Sequence, residues 1–164
     1  MNKSFFLLLF ITYPIITYCQ ANVYDNLSRV LDSADSVTLI SHIVTGNVVL
    51  KKNHKQINKP LLNNNEVNYE IIKKEKVLNR YEIDNLKHIL VSVNNDSLLR
   101  WSPCFMPKHA ILIKNQRRFS FIEICFTCNT VYSSDDLHID QSYFSQQKWK
   151  GLEKLFIKKG LLKQ

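Results

Sequence analysis

Glycine and proline are scarce in this chain, whose 164 residues include only three glycines and four prolines. This scarcity excludes a collagen-like protein and a glycine-rich linker, and the sequence has no internal period of the length that repeat proteins show. The chain also lacks any complete catalytic signature. What remains informative is its composition, its N-terminal segment and one group of cysteines.

The hydrophobic content is sufficient for one ordinary core. Hydrophobic residues make up 45% of the chain and aromatic residues 11%, and this length is typical of a single domain. The formal net charge is +8, which favours anionic partners such as a membrane surface or a glycan. The lysines are scattered, without the stripe of aromatic and arginine side chains that stacks on bases, so we expect no nucleic acid as a partner.

The N-terminal segment has the build of a secretory signal peptide. The basic residue Lys3 precedes an interrupted apolar run from Phe5 to Ile16, and this run is too short and too broken for a comfortable membrane span. We therefore predict a signal peptide over residues 1–20 and a single α+β domain over residues 21–164, exported to the periplasm or secreted.

Cys19 lies at the predicted cleavage site and has two alternative roles. Thr17 and Cys19 satisfy the small-residue rule for cleavage, which would leave Gln20 as the mature N-terminus. In the alternative, Cys19 is a lipidated cysteine. Tyr18 is bulkier than the residue that usually precedes a lipoprotein cysteine, so ordinary cleavage is favoured over lipid anchoring.

Hydrophobic periodicity predicts the secondary structure. Apolar residues at helical spacing predict three helices, over about Val23–Ala34, Tyr81–Val91 and Tyr143–Lys159. Runs rich in β-branched and aromatic residues predict strands, over Val37–Val44, Val67–Val77, His109–Ile113 and Phe119–Phe126. Two polar segments are expected to be loops or, for the first, a long hairpin connection: Lys51–Asn65 and Asn129–Ser142. The predicted fold class is α+β, an antiparallel sheet with a central hairpin over Ala110–Phe126, packed by about three helices.

The last predicted helix is amphipathic and basic. Its apolar arc comprises Trp149, Leu152, Leu155, Phe156 and Ile157, and its lysines cover the rest, at Lys148, Lys150, Lys154, Lys158 and Lys159. Such a helix can lie on an anionic membrane, but docking of the apolar arc on the sheet is the commoner use. We therefore predict that it packs against the sheet and that Gly160 ends it.

Four residues that flank the predicted hairpin form the candidate site. Cys104, His109, Cys125 and Cys128 have the spacing C-x4-H-x15-C-x2-C, and a hairpin brings its two ends together. Three thiolates and an imidazole are ligands that zinc prefers, so one hypothesis is a tetrahedral zinc site. Zinc is the one cofactor that the sequence suggests.

A disulfide is the alternative that we favour over zinc. In an exported protein Cys104 can pair with Cys125 or Cys128, or Cys125 can pair with Cys128 and leave Cys104 free. A redox-active Cys-x-x-Cys is less well supported, because this motif ends a strand instead of starting a helix. Papain-like pairing of Cys104 with His109 or His138 has no local signature.

Two further residues have a structural interpretation. Glu123, beside Cys125, is expected to be a buried carboxylate or a strand-edge residue, and His42 is expected to be an ordinary residue of a strand. No residue is assigned a catalytic role.

The candidate segment resembles a known group of proteins. The motif Cys104-Phe-Met-Pro-Lys108-His109, followed by Glu123-Ile-Cys125-Phe-Thr-Cys128, is similar to that of small exported proteins of Bacteroidetes-type bacteria, over the last third to half of the chain. The group often has arginine where this chain has Lys108, which weakens any bidentate contact with an anion there. The resemblance implies export and a shared architecture and supplies no reaction.

The sequence thus predicts a non-enzymatic envelope or secreted domain whose cysteine cluster is structural. One alternative is a thiol- or zinc-dependent function at Cys104, His109, Cys125 and Cys128. A second alternative is binding of an anionic membrane or a polyanion through the basic C-terminal helix.

Overall fold

A computed structural model describes residues 24–43, 46–50, 55–92, 105–137, 139 and 144–163. The helices are α1 over residues 24–32, α2 (Arg80–Val91) and α3 (Gln146–Lys158). The strands are β1 (Ser36–His42), β2 (Gly46–Leu50), β3 (Lys55–Lys59), β4 (Leu62–Asn63), β5 (Glu66–Val67), β6 (Ile72–Val77), β7 (His109–Asn115), β8 (Arg118–Cys125) and β9 (Thr130–Ser133). The leader predicted over residues 1–20 lies outside the described residues.

The main sheet has five antiparallel strands in the order β6-β1-β7-β8-β9. The predicted hairpin is β7–β8, and β7 is the middle strand, so the α+β class with a central hairpin is confirmed. Its connection is tighter than predicted, since only Gln116 and Arg117 lie between the two strands. Gln116 adopts a left-handed backbone conformation (φ 54°), which suits a two-residue hairpin turn.

All three helices pack on one face of this sheet, which we call the helical face. Alternate strand residues point to it because side chains alternate along a strand, and they include Leu39, Ile111 and Ile122. α2 and α3 approach each other closely at Gly151, where a Cβ atom would lie 3.0 Å from the Ile89 Cγ2 atom. No helix in the described part of the chain is long and apolar enough to cross a membrane.

α3 docks its apolar arc on the sheet, as predicted, with two differences in detail. Trp149, Leu152, Leu155 and Phe156 are buried, whereas Ile157 is only partly buried. Lys148, predicted to be on the polar side, is 2% exposed and belongs to the buried side. The helix begins at Gln146, later than predicted, because Ser145 caps it by accepting a hydrogen bond from the Lys148 amide. Gly160 follows the helix in a left-handed conformation (φ 69°).

α2 begins with a capping box at Asn79. The Asn79 side-chain oxygen accepts a hydrogen bond from the backbone N–H of Glu82 at 3.0 Å. In return, the Glu82 carboxylate accepts one from the backbone N–H of Asn79 at 3.1 Å. The Glu82 carboxylate also pairs with Lys159 at the end of α3. The Glu82 carboxylate therefore takes part both in the cap of α2 and in the contact between α2 and α3.

Replacing Asn79 with alanine is expected to lower the free energy of unfolding by about 1 kcal/mol, because the first turn of α2 loses its side-chain acceptor. Asn85→Ala is the matched control, since Asn85 is exposed in the middle of the same helix and alanine is the better helix former there. Urea unfolding of both variants makes the comparison. Equal stability of the two variants would contradict the capping role.

The second face of the sheet is covered by the chain between β3 and β6. Leu61, Val67 and Ile71 pack there on Ile40 and Leu112 of the sheet. We call this the second face. The strand predicted over Val67–Val77 is wrong in its first half, because a 3-10 turn at Tyr69–Ile71 separates β5 from β6 and leaves Tyr69 66% exposed.

The polar segment predicted as a loop after Cys128 contains β9. Ser133, expected in a loop, is buried in this strand, and its hydroxyl bonds both the amide and the carbonyl of Ile139. A strand of four residues with alternating polar side chains carries too weak a pattern to be recognised. The first predicted loop similarly contains β3, paired with β2.

Candidate functional site

The Cys-x-x-Cys motif forms the turn between β8 and β9. Cys125 ends β8 and is paired in the sheet with Thr130, and residues 126–129 make the turn. The two sulfur atoms lie at disulfide distance, with the Cα atoms 5.3 Å apart. Cys125 and Cys128 are 2% and 3% exposed. Of the pairings that the sequence left open, the structure has Cys125 with Cys128.

The surroundings of this pair are those of a hairpin and not of a redox motif. Thiol oxidoreductases usually place the first cysteine at a helix N-terminus, whereas here β8 ends and β9 follows. The hydroxyl of Thr127 lies 3.4 Å from the Cys125 sulfur and 3.7 Å from the Cys128 sulfur. The pair closes a tight turn at the edge of the sheet.

His109 anchors the C-terminal segment to the start of β7. Its Nε2 atom donates to the Leu161 carbonyl at 3.1 Å, and its ring centroid lies 5.2 Å from that of Phe126 and 5.5 Å from that of Phe156. Burial lowers the pKa of His109, and the nearby charge of Lys108 lowers it further. The imidazole is therefore neutral at pH 7 and occupied by a structural hydrogen bond.

The geometry of the described residues does not bring His109 and Cys125 to one point. His109 is paired with Ile124, so Cys125, the next residue, points to the opposite face of the sheet. Among the residues that the structure describes, no cluster of three or more His, Cys, Asp or Glu side chains could hold a metal ion. Cys104 lies outside the described residues, so the four-ligand zinc site stays a prediction.

Lys108 and Glu123 lie close to the motif in the sheet. Lys108 is exposed, immediately before β7. Glu123 is 7% exposed, and it is paired with Ala110 on one side and with Tyr132 on the other. Alternation places all three paired residues on the second face. Glu123 is thus a buried carboxylate on a central strand and not a strand-edge residue.

His42, at the end of β1, is the most buried histidine of those that the structure describes, at 1% exposed. Its Nδ1 atom donates to the Ile43 carbonyl at 2.6 Å, and its Nε2 atom has no partner among the described residues. Burial lowers the pKa of His42, so the ring is neutral. The expectation of a sheet residue is met.

The sequence patterns did not predict two features of the structure. One is the buried amine of Lys148, and the other is a group of partly exposed aromatic rings on the second face, at Phe105, Phe121 and Tyr132. Phe121 and Glu123 are two residues apart in β8, so alternation already indicated that they lie on the same face of the sheet. The aromatic group could not be predicted from this alone, because the neighbouring strand that carries Tyr132 was predicted as a loop.

No protein-family model, no curated protein and no solved structure matches the chain. The arrangement of its own residues must therefore support any function assigned to it.

Proposed function

We propose that this protein is an exported, non-enzymatic domain of the cell envelope or the secreted fraction, in which the Cys125–Cys128 pair is a structural disulfide. The observation that carries the proposal is the placement of two buried cysteines at disulfide distance in a hairpin turn. Disulfides persist in oxidising compartments and are rare in the cytosol. The apolar segment after Lys3 supports the same compartment, because it has the composition of a signal peptide.

The disulfide is expected to stabilise the β8–β9 turn moderately. A loop of so few residues gains about 2 kcal/mol from closure in the chain-entropy account. Both cysteines are buried, so replacing them by serine also buries two hydroxyl groups that need hydrogen-bond partners. Alanine is therefore the cleaner replacement.

The double variant Cys125→Ala/Cys128→Ala is expected to lose about 2 kcal/mol of unfolding free energy and to become insensitive to reductant. Urea unfolding of the wild type, with and without dithiothreitol, provides the comparison. Intact mass after alkylation of protein exported to a periplasm and denatured without reductant should show both cysteines protected until reduction. Alkylation of both in the denatured, unreduced protein would contradict the structural disulfide, as would a reproducible enzymatic turnover abolished by Cys125→Ala.

The zinc alternative makes an opposite prediction for the same protein. A Cys104, His109, Cys125 and Cys128 site requires thiolates, so zinc should be retained stoichiometrically and released by thiol oxidation. Elemental analysis of the purified protein separates the two proposals. One zinc per chain would favour the metal and exclude the disulfide.

Binding of a polyanion through α3 is supported by charge alone. The apolar arc of α3 is buried in the core, while Lys150, Lys154 and Lys158 are exposed. Binding to an anionic surface through these lysines would be electrostatic and lost in salt, without insertion of the helix.

A further inference from the structure

Three aromatic rings form an open surface on the second face of the sheet, which we call the aromatic platform. It consists of Phe105, Phe121 and Tyr132. The Tyr132 ring centroid lies 5.8 Å from that of Phe121 and 6.5 Å from that of Phe105. Tyr132 is 52% exposed and Phe105 38% exposed. Contiguous exposed aromatic side chains of this kind mark binding surfaces more often than isolated ones do.

Polar groups adjoin the platform on the same face. Glu123 is directly opposite Tyr132 in the pairing of β8 with β9. Thr130, two residues before Tyr132, is 8% exposed, and its hydroxyl has no partner among the described residues. The platform therefore has a carboxylate and an unpaired hydroxyl at its base.

Lys108 supplies a positive charge beside the platform. Alternation, carried one residue beyond β7, places it on the same face as Ala110, and its side chain is exposed. β7 and β9 are two strands apart, and Lys108 lies two residues before Ala110, which is in register with Tyr132, so the lysine and the tyrosine start about 12 Å from each other. The spacing leaves room for a ring-sized group between them.

We infer that the aromatic platform binds a glycan that contains acidic sugars. A sugar ring presents C–H groups on its faces, which pack on aromatic rings, and hydroxyls at its edge, which need both donors and acceptors. Tyr132 and Phe105 supply the rings, and the exposed Lys108 supplies a donor at the edge. This site goes beyond the proposed function, which assigns no ligand.

Charge decides between acidic and neutral sugars. Lys108 carries the exposed charge beside the platform, whereas the Glu123 carboxylate is buried beneath it, and the whole chain has a formal net charge of +8. A carboxylate on the sugar would be attracted by both, and attraction of this kind raises association rates at low salt. An anionic membrane would be attracted too, but it offers no ring that stacks on a single tyrosine.

Affinity electrophoresis in polygalacturonate gels tests the inference. The wild type should be retarded, and Tyr132→Ala should weaken binding about tenfold, as loss of a central aromatic contact does. Tyr81→Ala is the matched control, because Tyr81 is 79% exposed on α2, away from the second face. Lys108→Ala should weaken binding, while Lys154→Ala, which removes an exposed lysine of α3, should not. Thermal unfolding of each variant shows whether it is folded.

Three outcomes would overturn the inference. The first is equal retardation of the Tyr132→Ala and Tyr81→Ala variants. The second is equal retardation of the wild type by dextran, a neutral polymer, which would remove the acidic preference. The third is binding to vesicles of anionic lipid that matches binding to polygalacturonate and is unchanged by Tyr132→Ala, which would show that charge alone is recognised. None of these results affects the structural disulfide, so the two proposals can fail separately.

Discussion

Replacing Lys148 with methionine is expected to remove a pH dependence of stability that the wild type shows between pH 8 and 10.5. Burial lowers the pKa of Lys148 from 10.5 to about 8 in the folded protein. In the unfolded chain the amine is hydrated and keeps its ordinary pKa. The folded state therefore releases a proton at a lower pH than the unfolded state does.

The cause of this shift is the position of Lys148 in the first turn of α3. The residue is 2% exposed, and its Nζ atom donates to the Tyr24 hydroxyl at 3.1 Å. The same atom lies 4.4 Å from the centroid of the Tyr24 ring. These contacts favour the ammonium, but loss of hydration disfavours it more, and no carboxylate is paired with it among the described salt bridges. Tyr24 thus holds the amine without neutralising its charge.

The sign of the effect follows from proton uptake. Between pH 8 and 10.5 the unfolded chain holds a proton on Lys148 that the folded protein has lost, so the free energy of unfolding rises with pH. Below pH 8 this contribution is absent, and above pH 10.5 it is complete. The difference between the two pKa values corresponds to about 3 kcal/mol. Relative to Lys148→Met, the wild type should gain that amount across the window.

Guanidinium unfolding at intervals from pH 7 to 10.5 measures the effect as the difference between wild type and Lys148→Met. Titrating groups that do not contact Lys148 are common to both proteins and cancel. Tyr24 contacts Lys148 and does not cancel, but burial raises its pKa above the ordinary value of 10.0, so the two curves are compared below pH 10, where the phenol is protonated in both proteins. Lys154→Met is the matched control from the exposed side of α3, and its curve should run parallel to the wild type. A Lys148→Met curve that also runs parallel would refute the depressed pKa.

The elements that the sequence predicted well are those whose pattern is long and regular. α2 and α3 have apolar residues at helical spacing over three turns. Asparagine is a common N-cap residue, so Asn79 could also be recognised as the start of α2. The β7–β8 hairpin is flanked by apolar strands and a polar turn. In these segments local preference and tertiary packing agree, so the sequence alone was sufficient.

The features that were missed depend on contacts distant in sequence. Lys148 is buried because α1 presents Tyr24 to it, which no periodicity of α3 reveals. β9 exists because β8 offers a partner along four residues. The aromatic platform brings Phe105 close to Tyr132 on β9, and no sequence pattern indicates that these two distant residues are in contact. For the cysteines, spacing could list the pairings, but choosing one required the turn geometry.

The substitution Phe156→Ala is expected to cost about 3–5 kcal/mol of unfolding free energy, the usual range for a fully buried phenylalanine. Phe156 is 0% exposed, and its ring contacts those of Phe126 and His109 at centroid distances of 5.3 and 5.5 Å. The cavity would open beside the His109 imidazole and the Leu161 carbonyl that it bonds, so the C-terminal segment should loosen as well.

The neighbouring Ile157 provides the control, since the sequence placed both residues on one buried arc and the structure leaves Ile157 only partly buried. Ile157→Ala should therefore cost less than half as much, because less apolar surface is lost. Urea unfolding with an unchanged m-value gives both numbers. A second readout is specific to the contact: hydration through the cavity should raise the pKa of His109 towards its ordinary value in Phe156→Ala, as NMR titration of the ring protons would show. Equal losses for the two variants, or a His109 pKa unchanged in Phe156→Ala, would mean that Phe156 does not shield the imidazole.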